Sequence, residues 1–422
     1  MRTARFVALL AAGLLAAACA GGAGDGTAEA DRLVVQVSGE AEETAVYDSL
    51  VQEFEAANEG IDVELVKYAE KSDHLTALAT SFSAGDPPDV FLVNFREYSQ
   101  FVARGAIEPI ESHLARAGIE LADYYEPPIE AFTYDGELQC MPQNISSLVV
   151  YYNIDLFARA GLEPPRAGWT WDDFRATAKE LTAGDVYGLG IEPNVIRIAP
   201  FVWSNGGDIV DDLWAPTRFT FDQPEARAAL EFIVSLVRDD RVVPSEQELA
   251  AQDLETRFAA GKLGMLLSSR RDTPVFREVA GLNFDVAALP VAKEPASILH
   301  SDGYCIAAAS ERVADAARFI AYAIGPEGQT LTALAGRTVP SLKEVATSGA
   351  FLDPAQQPAS SQVFLDSIPH IRRTPVIPTW TEIEEVAEEI LTRAFYDPGY
   401  TIDDALRELD EATRPLFEEA SG

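Results

Sequence analysis

Gly85-Asp86-Pro87-Pro88-Asp89-Val90-Phe91-Leu92-Val93 ends one kind of structure and begins another. A glycine followed by two prolines closes the helical pattern of 73–84, because glycine accepts the left-handed conformation at a helix end and proline cannot continue the helix. The run from Asp89 to Val93 then reads as a buried strand. The same alternation extends upstream. Leu33 to Val37 is a strand ending at Ser38-Gly39-Glu40, and Thr44 to Ala57 carries Val46, Leu50, Val51 and Phe54 at helical spacing. Ile61 to Val66 alternates as a second strand. Strand, helix, strand, helix, strand predicts an α/β sheet with crossover connections.

Downstream, Leu148 to Tyr152 is a further strand, and Thr170 caps a helix over Trp171 to Leu181. Strands follow at Gly264 to Leu267 and Phe284 to Leu289, and the last 80 residues are mainly helical, over Glu382 to Arg393 and Thr401 to Phe417. The body left after an N-terminal leader, about 390 residues, exceeds what one hydrophobic core holds, so two domains are expected.

That leader is residues 1–18. Arg2 and Arg5 precede an apolar and small-residue run of 13 residues, Phe6 to Ala18, too short to span a bilayer, which takes roughly 20. With that charge order it reads as a secretory signal peptide. Cys19 follows, and Ala20 to Gly26 is glycine-rich. This resembles a bacterial lipoprotein signal, in which Cys19 is lipidated and 19–30 form a flexible tether, although Leu15 stands one place earlier than usual and Ala16 takes its position. The net charge of −36 makes nucleic acid and anionic lipid poor partners. The only membrane contact expected is through the lipid anchor. Cys140 and Cys305 are the remaining cysteines, and sequence alone does not bring them together. His74, His113, His300 and His370 lie far apart with no metal-ligand spacing, so neither a metal site nor a cofactor is expected.

Several motifs together carry a resemblance. Gly85 to Val90 resembles the G-x-x-P-D-V turn of the family 1 extracellular solute-binding proteins, the receptor subunits of carbohydrate ABC importers, the group of maltose-binding protein. Asp135 to Pro142 with Tyr152 to Phe157 resembles that family's DGKxYGxP…YNxDLF. Gly161 to Pro165 with Thr170 to Phe174, Asn205 to Asp208, Phe258 to Met265 and Asp403 to Leu406 follow in family order. The resemblance implies a periplasmic-binding-protein fold, two α/β lobes with a hinge and an interlobe ligand cleft. Lobe one would hold 31–143 plus 304–337, and lobe two 144–303 plus 338–422. It further implies that the segments of Cys140 and Cys305 run antiparallel as neighbours, close enough for a disulfide.

A sugar presents hydroxyls that donate and accept, plus apolar C–H faces, so its site needs carboxylates, amides and guanidinium groups around aromatic rings. Loop residues following strands are the candidates: Ser38, Gly39 and Glu40; Tyr68; and Asn94, Phe95, Arg96 and Tyr98. Asn144 and Ser146 lie past the hinge proline. In lobe two the candidates are Trp203 as an aromatic plate, with Asn205 and Gly206, and the pair Arg270 and Arg271, where neutral-sugar receptors of the family commonly carry an aromatic. Gly303 and Tyr304 complete the set, with Tyr68, Lys71 and Arg373 weaker and Trp171 structural. The expectation is a monomeric, non-catalytic receptor for a mono- or oligosaccharide, working with ABC permease subunits. The same fold with a glycerol phosphate ester, polyamine or ferric ion is the alternative; adjacent tyrosines occur at Tyr124-Tyr125 and Tyr151-Tyr152. A secreted hydrolase is a third reading, but no G-x-S-x-G elbow or zinc motif supports it.

Overall fold

Leu33–Ser38, apolar and β-branched, pairs in parallel with Val63–Tyr68 on one side and Val90–Asn94 on the other. These three strands start a sheet completed by Asp302–Ala307, antiparallel to Val90–Asn94. The far edge of Asp302–Ala307 is shared by Cys140–Pro142 and Ile107–Glu108. This computed structural model describes residues 32–39 and 41–420, with no side-chain description for 41–43. The leader, Cys19, the tether and Glu40 lie outside the described residues.

A second sheet runs in the order Tyr187–Gly190, Leu263–Ser268, Val149–Asn153, Phe284–Ala287. Its first pair is parallel and the other two are antiparallel. There are two hydrophobic cores. One, around Phe54, Phe91 and Phe319, runs from the first sheet onto one face of the second, where Tyr151, Leu266 and Phe284 join it. The other, around Phe174, Trp203 and Trp380, covers the opposite face of the second sheet. A small third sheet joins Ile371–Arg372, Ser297–His300 and Ser146–Ser147. The architecture is two-lobed α/β, as expected.

Boundaries shift by a residue or two for identifiable reasons. The second strand is Val63–Tyr68, not 61–66, because its register is set by Leu33↔Val63 through Ser38↔Tyr68, while Ile61 packs into the core. Helices begin earlier, at Ala41 and Lys71. The Phe284 strand stops at Ala287, where its pairing with Val150 ends. Gly85 terminates the Lys71–Ala84 helix at φ 76°, the left-handed cap for which glycine is suited. Thr170 and Asp173 form a reciprocal capping box at the start of Trp171–Leu181.

Three segments run side by side between the two sheets. Gln143 N–H donates to Asp302 O at 2.9 Å and Ile145 N–H to Val339 O at 2.9 Å. Asn144 Oδ1 accepts from Asp302 N–H at 2.7 Å, and Asn144 O from the Ser301 hydroxyl at 2.7 Å. Gln329 braces this junction by donating to Gln143 O and Ser341 Oγ.

Cys140 and Cys305 oppose each other in the antiparallel register, with Cα atoms 4.4 Å apart, and are joined as a disulfide. Both belong to the first sheet, so the bridge closes within that sheet. Thiol titration of the denatured, unreduced protein is therefore expected to leave both cysteines unreactive; a reactive thiol at either position would contradict the pairing.

Candidate functional site

Parallel strands deliver their carboxyl ends, and the loops that follow, to one edge of a sheet, where ligands collect in α/β proteins. In the first sheet those ends are Ser38 and Gly39, Tyr68 and Asn94, and in the second they lead to Glu192 and to Ser268–Asp272. Gly39 N–H donates to Tyr68 O at 2.9 Å, tying two of these ends together. Asn94 caps the helix Phe95–Val102: its Oδ1 accepts from Arg96 N–H and Nε–H at 3.3 and 3.2 Å, and its Nδ2 donates to Asp302 at 3.1 Å.

These loops and the neighbouring helices assemble a charged cluster. Arg96 Nη1 reaches Glu384 Oε2 at 2.9 Å, joining the Phe95–Val102 helix to the Trp380–Tyr396 helix. Lys71 pairs with the buried Glu97. Arg197 Nη2 lies 2.8 Å from Glu192 Oε2, and Asn194, which caps Val195–Ser204, also donates to Glu192. Arg271 Nε lies 3.2 Å from Asp272 Oδ1, and Asp272 accepts from the Ser268 hydroxyl. His300, at the end of Ser297–His300, stands among them: Arg197, Arg96, Arg271 and Lys71 all bear on its charge.

The electrostatics follow from this geometry. Burial, and then the four cations, hold His300 well below the ordinary histidine pKa, so the ring is neutral at pH 7. Arg197 holds the Glu192 carboxyl below the usual range. Burial raises Glu255, Asp272 and Glu388, and neighbouring carboxylates add to the effect. The Glu192 side chain is 38 % exposed even so, which brings the edge of the cluster to solvent.

Of the candidates read from sequence, Ser38, Gly39, Tyr68, Asn94, Arg96 and Arg271 lie at these strand ends or in this cluster. The others are placed differently. Phe95 and Tyr98 are fully buried, Tyr98 with its ring 5.0 Å from Phe132. Asn144 and Ser146 are engaged in the crossing segments, Ser146 Oγ accepting from Arg270 N–H. Trp203 is 1 % exposed in the second core, and the Arg372 guanidinium covers its ring at 4.9 Å. Asn205 donates to Glu225 O at 2.8 Å, and Gly206, at φ 83°, turns the chain out of the Val195–Ser204 helix. Arg270 is buried, donating to Gly336 O and Ser361 Oγ. Gly303 is glycine for packing, since a Cβ would meet the Phe132 ring at 2.7 Å. The buried Tyr304 donates to Gln143 Oε1 at 3.2 Å. Arg373 lines a separate cavity of about 230 Å³ with Glu130 and Leu213, its guanidinium 4.3 Å from the exposed Trp214 ring.

Sequence reading missed Glu192, Asn194, Arg197, Asp272, His300 and Glu384. Glu192 carried a usable signal, because it stands two residues past the Tyr187–Gly190 strand, where the rule applied to Asn94 also holds. Glu384 carried none: on an acid-rich helix nothing distinguishes the carboxylate that faces the cleft.

The profile of bacterial extracellular solute-binding proteins matches residues 49–359. A binding protein of Brucella abortus (strain 2308) is 26% identical over 366 residues, 84% of this chain and 85% of that protein. The sn-glycerol-3-phosphate-binding periplasmic protein UgpB of Escherichia coli (strain K12) is 26% identical over 259 residues, 58% of this chain and 57% of its own. The structure of an ABC substrate-binding protein from Listeria monocytogenes in complex with cycloalternan superposes with a TM-score of 0.83 at 25% identity, covering 92% of this chain and 99% of that one. Such receptors bind rather than transform their solutes, and the family is exported. The chain belongs to the bacterial extracellular solute-binding proteins, as the solute receptor of an ABC importer.

Proposed function

We propose that the solute is an uncharged saccharide, held in the interlobe cleft without chemical change and handed to the permease subunits after hinge closure. One observation carries this reading: each cation in the cleft already faces a carboxylate. Lys71 has Glu97, Arg96 has Glu384, Arg197 has Glu192 and Arg271 has Asp272. Paired guanidinium and carboxylate groups offer donors and acceptors in balance, which suits hydroxyls. A phosphate ester would instead need cations free to neutralise it. The cycloalternan complex of the Listeria relative supports the saccharide reading, and the UgpB likeness supports the phosphate ester as its rival. The hinge lies at the segments near 144, 304 and 337, dividing lobe one (31–143 plus 304–337) from lobe two (144–303 plus 338–422). Closure would seat the solute beside the Arg96–Glu384 pair. The receptor works as a monomer outside the cytoplasmic membrane, anchored through lipidated Cys19.

Calorimetry against a saccharide panel is expected to give saturable one-to-one binding, with the saccharide recovered intact and affinity little changed by salt. Binding of sn-glycerol 3-phosphate alone, weakening as salt rises, would replace this reading with its rival. Released sugar would place the protein among hydrolases.

A further inference from the structure

Three polar atoms of the charged cluster have no hydrogen-bond partner among the described residues: His300 Nε2, Arg197 Nε and Glu384 Oε1. Each is shielded from bulk solvent, and Arg197 as a whole is only 6 % exposed. Buried polar atoms left unpaired are rare in folded proteins because each loses its hydration without replacement, so a group of them at one site points to a partner that arrives from outside. The three residues belong together. Arg197 and Arg96 both bear on His300, Arg96 is bonded to Glu384, and Arg197 and Glu384 both bear on Glu388.

We propose that His300, together with Arg197 and Glu384, reads hydroxyl groups of the bound solute and that His300 Nε2 makes the contact that sets specificity. This rests on the saccharide reading and names the residues that would enforce it. The chemistry of the three atoms differs in a useful way. Arg197 Nε–H only donates and the Glu384 carboxylate only accepts, while a neutral imidazole nitrogen does either according to its tautomer. A hydroxyl serves all three, since it donates and accepts; a phosphate or carboxylate oxygen serves Arg197 but meets repulsion at Glu384.

Placement gives His300 its particular weight. It ends the strand Ser297–His300 and pairs with Ser146 in register. The next two residues, Ser301 and Asp302, hold Asn144 in the crossing segments. The cations that surround it come from both lobes, Lys71 and Arg96 from the first, Arg197 and Arg271 from the second. A solute hydroxyl at Nε2 would therefore be held where the lobes meet, one residue from the hinge. The strand's alternation sends Leu299 and Ile298 into different cores and puts His300 on the face opposite Leu299.

The chain has four histidines, so histidine-labelled protein gives four imidazole spin systems, and H300Q identifies the one that matters. Maltotriose, cycloalternan and sn-glycerol 3-phosphate serve as probes, with binding scored independently by thermal shift. A saccharide that raises the melting temperature is expected to move the His300 ring resonances while those of His113 and His370 stay put. H300L is expected to weaken that saccharide at least tenfold, and H300Q, which keeps one donor and one acceptor, to lose less. Saccharide binding with an unmoved His300 ring, or with wild-type affinity in H300L, overturns the assignment and leaves the saccharide reading standing. If H300L fails to fold, the ring resonances of the wild type decide alone. Binding of sn-glycerol 3-phosphate only, or of none of the three, overturns the saccharide reading and this assignment with it.

Discussion

Trp203→Ala is expected to lower the stability of the unliganded protein by about 3–5 kcal/mol, the range for truncating a large aromatic in a packed core, while changing solute affinity less than about threefold. The sequence alone favours the opposite result, since tryptophan beside an asparagine and two glycines resembles an aromatic plate on a binding loop. The structure removes the plate. Val195–Ser204 is a helix, and Val195, Ile198, Ala199, Val202 and Trp203 recur at helical spacing and are all buried. The indole is 1 % exposed and the Arg372 guanidinium closes over it, with no ring face left for a sugar. Urea unfolding beside calorimetry separates the outcomes. A tenfold loss of affinity at unchanged stability would return Trp203 to the cleft.

This residue shows where sequence reading succeeds and where it stops. Val90, Phe91, Leu92 and Val93 must be buried wherever they fall, so a run of them after a glycine-proline turn specifies a strand and, by repetition, a sheet. The carboxyl ends of those strands then give Ser38, Tyr68 and Asn94 with no further information. Side-chain direction is another matter. Trp203 to Gly207 reads from sequence as a loop, whereas Val195–Ser204 is a helix whose buried stripe includes Trp203. His300 was weighed only as a metal ligand. Its role depends on Lys71, Arg96, Arg197 and Arg271 converging from positions up to 229 residues away, which no local pattern records. Glu384 faces the cleft for the same non-local reason.

The arginine pair gives the second large effect and splits two neighbours that the sequence treats alike. Arg271 is 61 % exposed beside Asp272, whereas Arg270 is 1 % exposed and pairs with no carboxylate among the described residues: its Nε donates to Gly336 O at 2.8 Å and its Nη1 to Ser361 Oγ at 3.0 Å. Its guanidinium lies 4.8 Å from the Phe351 ring centroid and 5.5 Å from that of Phe364. Burial pushes its pKa down from the ordinary arginine value to about 10, so it remains charged at pH 7 and is held by dipoles and ring faces. Arg270→Ala removes the stacked stem and strands the Gly336 carbonyl, and is expected to cost about 3–5 kcal/mol through the cavity and the unpaired acceptor. Arg270→Met keeps the volume and discards a charge that is expensive to bury, so its cost is expected to fall to about 1–2 kcal/mol, chiefly from the lost bond to Gly336. Because Gly336 lies just before the third crossing segment, both variants test the hinge support and not the solute contact. Solute affinity in Arg270→Met should stay within about threefold of wild type, and Arg271→Gln should show the reverse pattern, weaker binding at unchanged stability. Chemical unfolding and calorimetry on the three variants decide the matter: a stable Arg270→Met that no longer binds would put Arg270 in the cleft after all.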